Sequence, residues 1–154
     1  METWSDGTPA LPQPHYHPVS SGGTTFATWS TNIKLQIRLR DARILAMVTV
    51  EDPTAAAPLA KALTAGGIRA VELALRTLAA LDALRAFRRE APEVLLGAGT
   101  VLWPHQLDAV QEAGADFGLA LGIDLAVVRH SATTGLPFFY GITTTKGGRR
   151  AYAC

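Results

Sequence analysis

The chain is 154 residues long, 48% hydrophobic and 18% charged, with a formal net charge of +1. That length gives room for one domain of ordinary size, and so small a net charge excludes the electrostatic footprint of a nucleic-acid binder or of a protein held to an acidic membrane surface. A lone cysteine, Cys154, excludes a disulfide framework within the chain, and no apolar run reaches the length of a membrane span.

Residues 1–31 carry Pro9, Pro12, Pro14 and Pro18 among Ser, Thr and Gly, with no apolar period, which is the composition of a disordered N-terminal extension. Its start lacks the charged and apolar regions of a signal peptide, so the expected setting is the cytoplasm. His15 and His17 have no Cys or carboxylate at ligand spacing, and no metal site is expected there. Asn32–Ala42 reads as a short helix with Ile33, Ile37 and also Leu35 on its apolar side and Arg38, Arg40 and Arg43 outside. Its place is to cap the bottom of the strands that come after it. Ile44–Val50 is the first strand. Asp52-Pro53-Thr54 starts a helix over Ala55–Ala65, and Gly66-Gly67 ends it.

Two apolar runs, Ala70–Leu75 and Val94–Thr100, read as buried strands. Between them, Leu78–Arg89 sets Leu78, Leu81, Leu84 and Phe87 on one stripe of an amphipathic helix. Strand, helix, strand implies parallel strands with a right-handed crossover. Pro104 then opens a helix carrying Leu107, Val110 and Ala113, closed by Gly114. Asp116–Gly122 is the fourth strand, Asp124–Thr133 a helix with Leu125 and Val128 inward and Gly135 as its stop, and Pro137–Thr143 the fifth strand. The rhythm predicts an α/β fold, either a (β/α)8 barrel or a doubly wound sheet. Residues 32–143 form that domain, and 144–154 follow as an irregular tail with no period. Five βα units fall short of eight, so the barrel expected is incomplete, with its first and last strands as open edges.

One residue breaks the pattern. A parallel strand covered on both faces is apolar throughout, yet Glu72 lies inside the second. Alternation puts Glu72, Ala74 and Arg76 on one face and Val71, Leu73 and Leu75 on the other. The second set suits packing under helices; the first suits a barrel lumen near its open end. A carboxylate there must be paired, hydrated or used, and a structural Glu72–Arg76 pair stands beside the functional reading.

Val71-Glu72-Leu73-Ala74-Leu75-Arg76-Thr77, followed by Gly97-Ala98-Gly99-Thr100-Val101-Leu102, resembles the KDPG/KHG aldolases. The likeness keeps register from about Ile44 to Thr144 and takes in Ala65-Gly66-Gly67, Pro92-Glu93, Glu112-Ala113-Gly114-Ala115 and the Gly-Ile-Thr of the fifth strand. The resemblance implies a homotrimeric (β/α)8 (TIM) barrel that needs no cofactor. Its class I chemistry cleaves 2-keto-3-deoxy or 4-hydroxy-2-oxo acids to pyruvate and an aldehyde through a lysine Schiff base. By resemblance, Glu72 is the acid/base catalyst, while Arg76 and Thr100 hold the carboxylate end of the small 2-keto acid substrate.

The departures are as informative. The family's lysine lies on a sixth strand, and this chain is expected to be C-terminally truncated before it. Ala120-Leu121-Gly122 and Tyr140-Gly141 replace the family's Ser-Pro-Gly and Pro-Gly near the mouth. Of Lys34, Lys61 and Lys146, only Lys146 follows a strand at the active face, and its Gly-Gly-Arg-Arg setting offers nothing to lower its pKa. The expectation is an aldolase sequence inactive as it stands. Two alternatives are a non-catalytic half-barrel that associates with itself or with a complementary fragment, and a flavodoxin-like domain holding a phosphate at Gly97–Thr100.

Overall fold

The computed structural model describes residues 26–142, with side chains from Ile33 onward. The expectations for His15, His17, Lys146 and the tail that carries Lys146 lie outside the described residues. Elements follow one another as α1 (Phe26–Ala42), β1 (Leu45–Val48), a 3-10 turn (Pro53–Ala55) running into α2 (Ala56–Ala65), and β2 (Ala70–Ala74). Next come α3 (Ala80–Glu90), β3 (Leu95–Gly99), α4 (Pro104–Glu112), β4 (Phe117–Ala120), α5 (Leu125–Thr134) and β5 (Phe138–Tyr140). Helix α1 thus begins at Phe26, inside the segment read as an extension.

The helix boundaries have local causes. Asp52 accepts from the Thr54 N–H at 2.9 Å, and Asp124 accepts from Ala126 and Val127 at 2.8 and 3.1 Å, satisfying amides that a helix start leaves free. Pro104 occupies the first turn of α4, where the Gln106 side chain accepts from Leu102 and Trp103. At the other ends, Gly67 and Gly114 take φ of +80° and +94°. Each lets the following residue, Ile68 or Ala115, bond back to Leu63 or Val110, closing the helix.

The five strands form one parallel sheet in the order β1-β2-β3-β4-β5. Unbroken sequence order is what a barrel requires. A flavodoxin-like sheet reverses direction beside its first strand, so that alternative is overturned. What remains is an α/β half of a (β/α)8 barrel.

Val71 and Leu73 of β2 and Leu96 and Ala98 of β3 pack under the helices against Ala83, Leu84, Phe87, Leu107, Val110 and Val127. Burial of each larger side chain there is worth roughly 1.5–3 kcal/mol. The opposite face has a second cluster at its base, where Leu35 of α1 meets Ala70, Leu95 and Phe117, so α1 does cap the bottom. Phe117 and Phe139 stack edge to face there at 5.9 Å.

Three apolar assignments change. On α1 it is Leu35 that is buried, while Ile33 and Ile37 are exposed. Positions 33 and 37 lie roughly opposite 35 on a helix, so only one set can face the sheet. Leu78 precedes α3, in the turn closed by the Ala80 N–H on the Thr77 carbonyl at 3.2 Å, and is fully exposed. The buried stripe of α3 is Ala80, Ala83, Leu84 and Phe87. In α5 the Asp124 cap fixes the rotation so that Val127 and Ser131 point inward, leaving Leu125 exposed and Val128 half-buried.

Candidate active site

Parallel pairing sets Glu72 between Met47 of β1 and Gly97 of β3, and Ala74 beside Gly99. Since Val71 and Leu73 are under the helices, Glu72 faces the concave side. The residue is only 5% exposed. Space for it comes from β3: a Cβ on Gly99 would fall onto the Glu72 Oε1, and one on Gly97 would fall onto the Phe117 ring. Two side chains are therefore missing from β3 so that a carboxylate and an aromatic ring can lie across it.

No ion pair joins Glu72 to Arg76 among the described residues, which removes the structural-pair reading. Arg76 is exposed at the end of β2 and acts on Glu72 through space. Burial pushes the Glu72 carboxyl up from its ordinary pKa, and the Arg76 charge offsets part of that rise. A carboxyl with a raised folded pKa binds its proton more tightly folded than unfolded. Its contribution to stability is present below the unfolded pKa and is lost as pH rises through the folded value. Urea melts at stepped pH should show that decline, and Glu72→Gln should remove that part of the slope; an unchanged slope would contradict it.

Arg76 and Thr100 reach the same mouth from adjacent strands. The backbone leading to Arg76 is tied on both sides. Leu75 donates its N–H to the Gly99 carbonyl at 2.8 Å, Arg76 donates to Ala74 at 2.8 Å, and the Thr77 hydroxyl donates to the Val50 carbonyl beyond β1 at 2.6 Å. Thr100 takes φ +59°, a left-handed conformation that a β-branched residue adopts only at a cost of order 1–3 kcal/mol. It is held there because Gly99 is bonded toward β2 while Val101 donates to Leu119 on the β4 side at 3.0 Å. The Glu72 carboxyl lies over Gly99, the last residue of β3, and Arg76 and Thr100 follow the C-terminal ends of β2 and β3, the side on which barrels of this class place their chemistry.

Neither described lysine is among them. Lys61 pairs with Glu90 of α3 at 3.3 Å in the helical layer, and Lys34 is exposed on α1, below the opposite ends of the strands. Among the described residues, no three His, Cys, Asp or Glu side chains gather as metal ligands would. The roles of Gly99 and Thr77 escaped sequence reasoning. The one available signal was the alternation of Gly97 and Gly99, which in a parallel strand vacates two positions on a single face.

Fold and site together define a parallel (β/α) barrel unit with an enclosed carboxyl group at its strand C-termini. The profile of the aldolase family described as KDPG and KHG aldolase matches residues 35–153, and the chain belongs to that family. It is 43% identical over 101 residues to the KHG/KDPG aldolase of Escherichia coli (strain K12), covering 66% of this chain and 47% of that protein. It is also 43% identical over 113 residues to the 2-dehydro-3-deoxy-phosphogluconate aldolase of Treponema pallidum, covering 73% and 54%. Among solved structures, the KDPG aldolase of Legionella pneumophila, with pyruvate captured as a covalent carbinolamine, matches with a TM-score of 0.67 at 31% identity, covering 71% and 53%. The chain spans about half the length of the curated relatives it matches. No helix among the described residues is long and apolar enough to cross a membrane.

Proposed function

We propose that this chain carries the proton-transfer and carboxylate-holding part of a class I aldolase site, in which a 2-keto-3-deoxy or 4-hydroxy-2-oxo acid is cleaved to pyruvate and an aldehyde. Such chemistry forms an iminium between an amine and the keto carbon, expels water, and passes through an enamine. Each step needs a group that can both give and take a proton near neutrality. The observation that carries the reading is Glu72, 5% exposed with a raised pKa, lying over Gly99 and within the field of Arg76. The Arg76 guanidinium suits a carboxylate bidentately, and the Thr100 hydroxyl adds a donor beside it. In this reading the substrate is a small keto acid, the assembly a homotrimer and the setting the cytoplasm, as the family resemblance implies.

The amine is the part unaccounted for. Among the described residues Lys34 and Lys61 are remote from the mouth, and Lys146, outside them, is followed in sequence by Gly-Gly-Arg-Arg. Little or no aldol cleavage is therefore expected from this chain alone. Borohydride reduction in the presence of pyruvate, read by mass spectrometry, should leave no adduct. A reduced adduct on any lysine overturns that expectation.

A second reading has its own support. At the open β1 edge Ile44 is 60% and Met47 67% exposed, apolar surface that a non-catalytic half-barrel would cover with another chain. A discrete oligomer by size-exclusion chromatography, combined with no affinity for pyruvate, would favour it.

A further inference from the structure

Arg76 is exposed, without an ion pair among the described residues, at the end of a strand whose neighbours must set its height above Glu72. Toward β3 the strap is held by backbone alone, through Leu75 N–H on the Gly99 carbonyl at 2.8 Å. Toward α3 it is held by the longer bond of the Ala80 N–H on the Thr77 carbonyl, 3.2 Å. Toward β1 the ladder has already ended at Val48, and the hold comes from a side chain: the Thr77 hydroxyl on the Val50 carbonyl, 2.6 Å and partly buried. Val50 belongs to the core beneath α2 and α3 and is 6% exposed, so the hydroxyl is fastened to a rigid point.

We propose that Thr77 is a positioning residue: its hydroxyl clasp to Val50 fixes the backbone that presents Arg76, and so sets how well the site grips the carboxylate of a keto acid. The inference rests on the reading of Arg76 given above. A threonine hydroxyl has one proton, and spending it on Val50 leaves its methyl to pack and its oxygen with no further donor role. Without the clasp, the residues after β2 gain freedom on the open β1 side, and the guanidinium samples positions too far from the carboxylate for a bidentate pair.

The test uses the full chain and pyruvate as probe, with affinity read from amide chemical-shift titrations and stability from urea melts. Thr77→Val keeps the shape and removes the hydroxyl, Thr77→Ser keeps the hydroxyl, and Thr77→Ala serves if valine is not accommodated. The expected result is an affinity about tenfold weaker in Thr77→Val, the net worth of one well-made hydrogen bond, and restored in Thr77→Ser. In an Arg76→Gln background, Thr77→Val should change affinity no further, because the clasp acts through Arg76. If Arg76→Gln weakens binding but Thr77→Val does not, or if the two effects add, the clasp is refuted while the site reading stands. If the unsubstituted chain does not bind pyruvate, or Arg76→Gln leaves binding unchanged, the site reading fails and this inference with it.

Discussion

Gly99→Ala is expected to empty the site while leaving the fold largely intact. The added methyl occupies the place of the Glu72 Oε1, so the carboxylate has to leave. It cannot move toward the helices, since Val71 and Leu73 already fill that side. Toward β1 its neighbour Met47 is 67% exposed, so water is at hand on that side. Rotated there, Glu72 regains its hydration and its raised pKa relaxes toward the ordinary carboxylate value. Stability should fall by about 1–3 kcal/mol, as in other overpacked cores. Carbon-detected titration of the Glu72 carboxyl reads the first effect directly. A titration unchanged from the parent chain would show that the carboxylate does not lie over Gly99.

Removing the Arg88 guanidinium should be the costliest single change to the fold. From the last turn of α3 it donates to the carbonyls of Gly114 at 2.9 Å, Pro92 at 2.9 Å and Val94 at 3.0 Å, and to the Asp116 carboxylate at 2.6 Å. Asp116 also accepts from the Leu96 N–H at 2.8 Å, so one ion pair joins α3, β3 and the approach to β4. Both partners are shielded, with side chains 22% and 31% exposed. Arg88→Ala leaves a partly buried carboxylate with one amide and several carbonyls with fewer donors. About 3–4 kcal/mol of stability should be lost. Arg88→Lys, a point charge without the planar fork, should recover less than half of it. A loss under about 1 kcal/mol in urea unfolding would mean that water replaces these bonds and the hub is incidental.

These two residues mark the boundary of what the chain's letters disclose. Glu72 was conspicuous because it interrupts an apolar strand, and its side of the sheet followed from alternation alone. Gly99 read as part of the buried strand Val94–Thr100, and nothing local says that its missing side chain belongs to another strand's carboxylate. Arg88 drew no reading from the sequence, since nothing within its own helix marks it. Two of its four partners lie 26 and 28 residues away, at Gly114 and Asp116. Leu78 was misplaced for the reverse reason: it matches the helical period, but the turn at Thr77 holds it outside the helix.

Sequence by itself determined the alternation of strands and helices, the caps at Asp52, Pro104 and Asp124, the stops at Gly66-Gly67, Gly114 and Gly135, and the family. All but the family depend on intervals within a single element or on its immediate ends, where the chain's own stereochemistry decides. Tertiary structure alone decided the strand order, the overlap of Glu72 with Gly99, the clasp of Thr77 on Val50 and the reach of Arg88 to Asp116. Those are contacts between segments brought together by strand pairing and helix packing, and the free energy that selects them is shared by partners far apart in the chain.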